Sequence, residues 1–125
     1  MIQNIEIMKL LKDNFIIKFI MTQQKKVVII SGYFCPAHEG HIEYAKEAKE
    51  LAGSDGIVYC IVNSDYQAEL KKGFSFMPEN DRLVVMGALK YVDKAYLSID
   101  TDRTVCETIR MLYDMSEYKP THFFN

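Results

Sequence analysis

His38 and His41 stand three residues apart in the stretch SGYFCPAHEGHIEY (31–44), with Gly32, Cys35, Pro36 and Gly40 around them. Two imidazoles on a glycine-bearing turn can serve three purposes. They can donate hydrogen bonds to phosphate oxygens as charge builds up in phosphoryl or nucleotidyl transfer. With Cys35 they have spacings that zinc could use, although no fourth ligand or second ligand cluster accompanies them, so no metal site is expected. Or they can simply pack. Their position favours phosphate: a β-branched run ends at Ser31 and an amphipathic pattern begins at Glu39. His38 then precedes a helix and His41 lies in its first turn. Unpaired backbone N–H groups and a partial positive charge at that end attract an anion. Gly32 lets backbone approach a ligand closely, and Gly40 keeps a side chain out of the way.

The elements that must hold this loop are legible from pattern. KVVIIS (26–31) and GIVYCIVN (56–63) are continuous apolar runs of the kind buried on both faces of a parallel sheet. Between them, EGHIEYAKEAKELA (39–52) places Ile42, Ala45, Ala48, Leu51 and Ala52 on one stripe, closed by Gly53. A short helix is expected over residues 65–70, followed by a polar loop, KKGFSFM. Pro78 opens a helix over PENDRLVVMGALKY, with Leu83, Val84, Met86, Gly87 and Leu89 on its apolar side. KAYLSI is a third strand; Thr101 or Asp102 caps a further helix to Met115, carrying Val105, Ile109 and Leu112; THFFN is a fourth strand. Strands alternating with helices predict an α/β, Rossmann-like, doubly wound parallel sheet in three α/β/α layers.

The chain has 125 residues, 49% of them apolar, and a formal net charge of −2. Neither nucleic acid nor an anionic membrane is an expected partner. Cys35, Cys60 and Cys106 are odd in number and widely spaced, which fits a reducing cytoplasm better than a disulfide scaffold. Charged residues break up the Ile- and Lys-rich residues 1–20, so they are read as an extension upstream of a domain over 21–125, or as an amphipathic helix packed on its outside, not as a membrane span or secretory signal.

The stretch GYFCPAHEGH resembles the GxFDxxHxGH motif of the nucleotidyltransferase superfamily. NSDYQAELKKGFSFMPENDRLVVMGALKYVDKAYLS (63–98) is similar to the matching region of cytidylyltransferases acting on phosphocholine, phosphoethanolamine or glycerol 3-phosphate, and of heptose adenylyltransferase domains. The resemblance implies transfer of CMP, or less readily AMP, from CTP or ATP to a small phosphorylated alcohol, amino alcohol or sugar, releasing pyrophosphate, with Mg²⁺ accompanying the nucleotide. It implies that His38 and His41 contact the triphosphate and that Lys72 bridges the attacking and α-phosphates, with Lys71 next in register. Gly32, Tyr33, Phe34, Cys35 and Gly40 would bed the nucleotide, and Asp65 and Arg82 would belong to the substrate loop. Two residues depart from the pattern: Cys35 replaces the motif aspartate, and Lys90 replaces an arginine. The family's further loop and Ser/Thr-rich helix are not found after THFFN, so a domain truncated at its C-terminus is expected. The outer edge of its last strand would be open to a second copy of the chain. The alternative function is nucleotide or partner binding without catalysis.

Overall fold

The computed structural model describes residues 25–125. The extension read over residues 1–20, and a domain start at Met21, lie outside the described residues.

Strands β1 (Val27–Gly32), β2 (Ile57–Val62), β3 (Lys94–Leu97) and β4 (His122–Phe123) form one parallel sheet in the order β3-β2-β1-β4. Helices α1 (Glu39–Ala52), α2 (Asp65–Lys72), α3 (Glu79–Gly87) and α4 (Cys106–Met115) connect them. The β-branched runs form the two central strands because both of their faces are covered. Val28, Ile30, Val58, Cys60 and Val62 pack against Ala45, Ala48 and Ala52 of α1 and Met86 of α3. On the opposite face Val27, Ile29, Tyr59 and Ile61 meet Val105 and Leu112. The result is the expected three-layer α/β/α arrangement, and Cys60 within it is a buried thiol that desolvation pushes up to about 12.

The strand order places the site. From β1 the sheet grows through β2 and β3 on one side, and only then adds β4 on the other. That reversal between β1 and β4 is a topological switch point, where open α/β sheets leave a crevice beyond the strands' carboxyl ends. Tyr44 of α1 joins the two strands across this end: its hydroxyl donates to the Phe124 carbonyl at 2.7 Å and accepts from the Ser31 amide at 3.4 Å.

Several elements differ from their sequence reading. On α1 only the alanines are buried, and Ile42 and Leu51 are exposed, because small side chains let the helix lie close to the sheet. Helix α2 runs through Lys71 and Lys72 and ends at Gly73, which takes the left-handed conformation (φ 84°). Helix α3 stops at Gly87; Val84 on it is 70% exposed, while Arg82 faces inward. Neither Thr101 nor Asp102 caps α4. Asp100 does so from a distance, its carboxylate accepting the Glu107 and Thr108 amides at 2.8 and 3.0 Å. Asp102 instead closes its own turn onto Thr104. Among the described residues no helix is long and apolar enough to cross a membrane.

Candidate functional site

The loop after β1 is shaped by its aromatic residue. Phe34 is buried with φ 52°, a conformation that costs a non-glycine residue about 1–3 kcal/mol. Its ring folds back over Gly32, where a Cβ would stand 2.8 Å from the ring. It also meets His41 edge-on, with centroids 4.9 Å apart. Phe34 is therefore the floor on which the second histidine rests. The Cys35–Pro36 peptide that follows is cis.

The two histidines cap α1 reciprocally. His38 Nδ1 accepts the Gly40 amide at 3.1 Å, and His41 Nδ1 accepts the His38 amide at 3.2 Å. An Nδ1 that accepts an N–H must be unprotonated, so in each neutral ring the proton sits on Nε2. The rings lie 3.9 Å apart, tilted by 31°. Each thus offers an N–H donor at a helix N-terminus. Gly40 serves this arrangement directly, since a Cβ there would meet the His38 ring at 3.0 Å.

Burial, and then the neighbouring His38, holds His41 below the ordinary imidazole value of 6.5. In the unfolded chain His41 takes up a proton near 6.5; in the fold it does so only at lower pH. The unfolded state binds more protons in that window, so the contribution of neutral His41 is complete above about 6.5 and is lost as pH falls through the folded value. Urea midpoints measured from pH 8 downward should begin to fall below about 6.5. That part of the decline should vanish in His41→Ala.

Arg82 is held by protein groups. Its side chain is fully buried, and its fork is spent on protein: Nε donates to the Met77 carbonyl (2.7 Å), Nη1 to the Tyr33 and Asn63 carbonyls (2.8 and 2.6 Å), and Nη2 to the Asp65 carboxylate (2.7 Å). Asp65 also accepts from Ser75 Oγ at 2.7 Å, and its amide donates to Glu79. Burial pushes the Asp65 carboxyl up, but these hydrogen bonds and the Arg82 charge together hold it below the usual carboxylate value. Arg82 and Asp65, expected in or near the substrate loop, are both hydrogen-bonded to protein groups. They lie beneath that loop and tie it to the ends of β1 and β2. Cys35 joins the knot through its Sγ, which accepts the Met77 amide at 3.3 Å.

Two clefts open beyond the strand ends, with Tyr33 as their common wall. One, of about 490 Å³, follows the switch point and is lined by Gly32, Asn63, Arg103, Cys106 and Asn125 among others. The other, of about 140 Å³, lies between the β1 loop and the end of α2 and is lined by Tyr33, Cys35, Ala68, Lys72, Phe74 and Phe76. The structure thus brings Tyr33, Cys35 and Lys72 together. Lys71 Nζ lies over the Tyr33 ring, 4.5 Å from its centroid. Tyr33 Oη is enclosed with no protein hydrogen-bond partner among the described residues. Among the described residues no three His, Cys, Asp or Glu side chains are placed to hold a metal ion.

The cytidylyltransferase-like family profile matches residues 29–120, which takes in both clefts' main walls and the whole histidine loop. The chain belongs to the cytidylyltransferase-like family. Its relatives include an FAD synthase of Methanobrevibacter ruminantium, 37% identical over 60% of this chain and 50% of that protein. An FAD synthase of Thermococcus kodakarensis is 30% identical over 82% of this chain and 68% of that protein. The chain spans about half the length of the first of these relatives. A lipopolysaccharide core biosynthesis protein from Thermoplasma volcanium superposes with a TM-score of 0.63, at 23% identity, over 79% of this chain and 94% of that one. That likeness carries the fold: a cytidylyltransferase-like sheet with helices on both faces.

Sequence reasoning passed over three groups at this site. Gln67 is fully buried, accepts from Asn63 and Ser64, and donates to the Asp102 and Thr104 carbonyls at 2.7 and 2.9 Å. The signal for it was the Ser64-x-x-Gln67 capping box, in which Gln67 reaches back to the Ser64 amide. Arg103 had no signal beyond its charge. Phe74 and Phe76 were hidden in a loop read as polar.

Proposed function

We propose that the chain transfers a nucleotidyl group from a nucleoside triphosphate to a phosphomonoester, with ATP as donor and riboflavin 5′-phosphate as acceptor. The observation that carries the reaction class is the histidine pair: two Nε2–H donors fixed on a helix N-terminus at the carboxyl end of β1. Such donors match the charge that gathers on the oxygens of a phosphate under in-line attack. The relatives named FAD synthase support the choice of substrates, since FAD is AMP joined to that phosphomonoester. This moves ATP ahead of the CTP that the motif resemblance put first.

In this reading the nucleotide occupies the switch-point cleft, with Gly32 and Tyr33 as its bed. The acceptor phosphate approaches from the Lys72 side. Acceptor oxygen bonds to the α-phosphorus, the bond to the β-phosphate oxygen breaks, and pyrophosphate leaves with the electron pair. The protein supplies position and charge; no residue becomes covalently attached. Mg²⁺ comes as part of the nucleotide substrate, because the described residues offer no cage for it.

The test is pyrophosphate release by the full chain with MgATP or MgCTP against riboflavin 5′-phosphate, glycerol 3-phosphate and phosphocholine. Release with MgATP and the flavin phosphate is expected. Absence of release with every pair would sink the proposal. Cys35 at the motif aspartate favours a second reading, nucleotide binding without turnover, which calorimetric binding of MgATP in the absence of release would support.

A further inference from the structure

The cleft beside Lys72 has an unusual lining for a phosphomonoester acceptor. Phe74 and Phe76 are 61% and 68% exposed and line that pocket, on a loop whose Ser75 and Met77 are held by the Arg82 knot. Tyr33, Ala68 and Cys35 line the same pocket. Among the described residues Lys72 is the one charged group lining the pocket, and Lys71 lies over the Tyr33 ring.

These residues discriminate among acceptors. A polyol or sugar brings hydroxyl groups that would lose water and find aromatic carbon in exchange, which is costly for each group left unpaired. A trimethylammonium group suits aromatic walls in general, but here Lys71 already stands over the Tyr33 ring and Lys72 lines the pocket, and like charges repel it. A flat conjugated ring with electron-rich carbonyl edges meets neither objection. It buries apolar area against Phe74, Phe76 and Tyr33 and turns its partial negative charge toward Lys72. We infer that Tyr33, Phe74 and Phe76 form a stacking site for the aromatic ring of the acceptor, which selects a ring-bearing phosphomonoester over polyol and choline phosphates. The inference rests on the proposed transfer to a phosphomonoester and adds what recognises that acceptor's other end.

Binding of riboflavin, which has the ring and no phosphate, separates the two ideas because it needs neither nucleotide nor turnover. Titrating the full chain into riboflavin should quench its fluorescence, and glycerol 3-phosphate and phosphocholine should not reverse the quench. Phe74→Ala and Phe76→Ala should each weaken riboflavin binding at least tenfold while MgATP binding, read by calorimetry, stays within twofold. Both side chains lie outside the core, so neither change threatens folding. Absence of quenching by wild type, or riboflavin binding within twofold of wild type in both variants, overturns the ring site. So does a change in sedimentation without a change in flavin binding, which would mark the phenylalanines as a protein contact. Riboflavin binding without pyrophosphate release from any substrate pair would instead overturn the transfer and leave the ring site standing.

Discussion

Arg82→Ala should lose about 3–5 kcal/mol of unfolding free energy, the scale found when one partner of a buried ion pair is removed. A domain of this size has on the order of 5–15 kcal/mol to lose, so the variant should sit near the edge of folding. The reason is the number of groups that one guanidinium serves. Without it, the carbonyls of Tyr33, Asn63 and Met77 and the Asp65 carboxylate each lose the bond that Arg82 donates. Lysine cannot replace it: an ammonium is a point charge and cannot span four acceptors set around a planar fork. Arg82→Lys should therefore recover only part of the loss. Arg110→Ala is the control, since the Arg110–Glu107 pair is exposed and 3.7 Å apart, and its removal should change stability by less than about 0.5 kcal/mol. Urea unfolding of the three variants decides the matter. Equal stability of Arg82→Ala and Arg110→Ala would show that the buried fork holds nothing in place.

The second large effect is on transfer. Removing either imidazole should lower kcat by roughly 10²–10³-fold, the range for one preorganised donor at developing negative charge. The double variant should lose less than the product, because the rings stack and cap one another and act as one unit. His38 also has a structural task, which a simple alanine change would confuse with the chemical one. His38→Ala removes the acceptor for the Gly40 amide and should cost about 1 kcal/mol of stability as well. His38→Asp keeps an acceptor at the cap and should fold like wild type, yet it faces the phosphates with a negative charge and no donor. If His38→Asp turns over like wild type in the pyrophosphate-release assay, the histidine is a cap and nothing more.

What could be read from the chain in advance follows from how local each cause is. Helix α1 was legible to the residue, because its amphipathic stripe and Gly53 are signals within the helix itself. The central strands were legible because burial on both faces leaves an uninterrupted apolar run. The histidine pair stood out for the same reason: its spacing, glycines and place before a helix are all local. The buried fork of Arg82 was not legible because its partners lie 5 to 49 residues away in sequence, and an arginine within ENDRLVV looks like a surface cation until the loops converge on it. Asp100 was missed as the cap of α4 because it reaches past five residues to do so. The two phenylalanines were missed for the opposite reason. Their exposure, which makes them candidates for a ligand, gives no periodic signal.

The mutual capping of His38 and His41 reaches further than helix stability. Each ring commits its Nδ1 lone pair to the backbone, and its Nε2 carries the proton. Neither ring then keeps a free basic nitrogen, so neither can serve as a proton acceptor during the transfer. An acceptor phosphate must arrive already a dianion, ionised in water above its second pKa of about 6. The bond exchange itself would move no proton between enzyme and substrate. Whatever slope the turnover shows against pH near neutrality would belong to the acceptor's own ionisation, not to a base supplied by the protein.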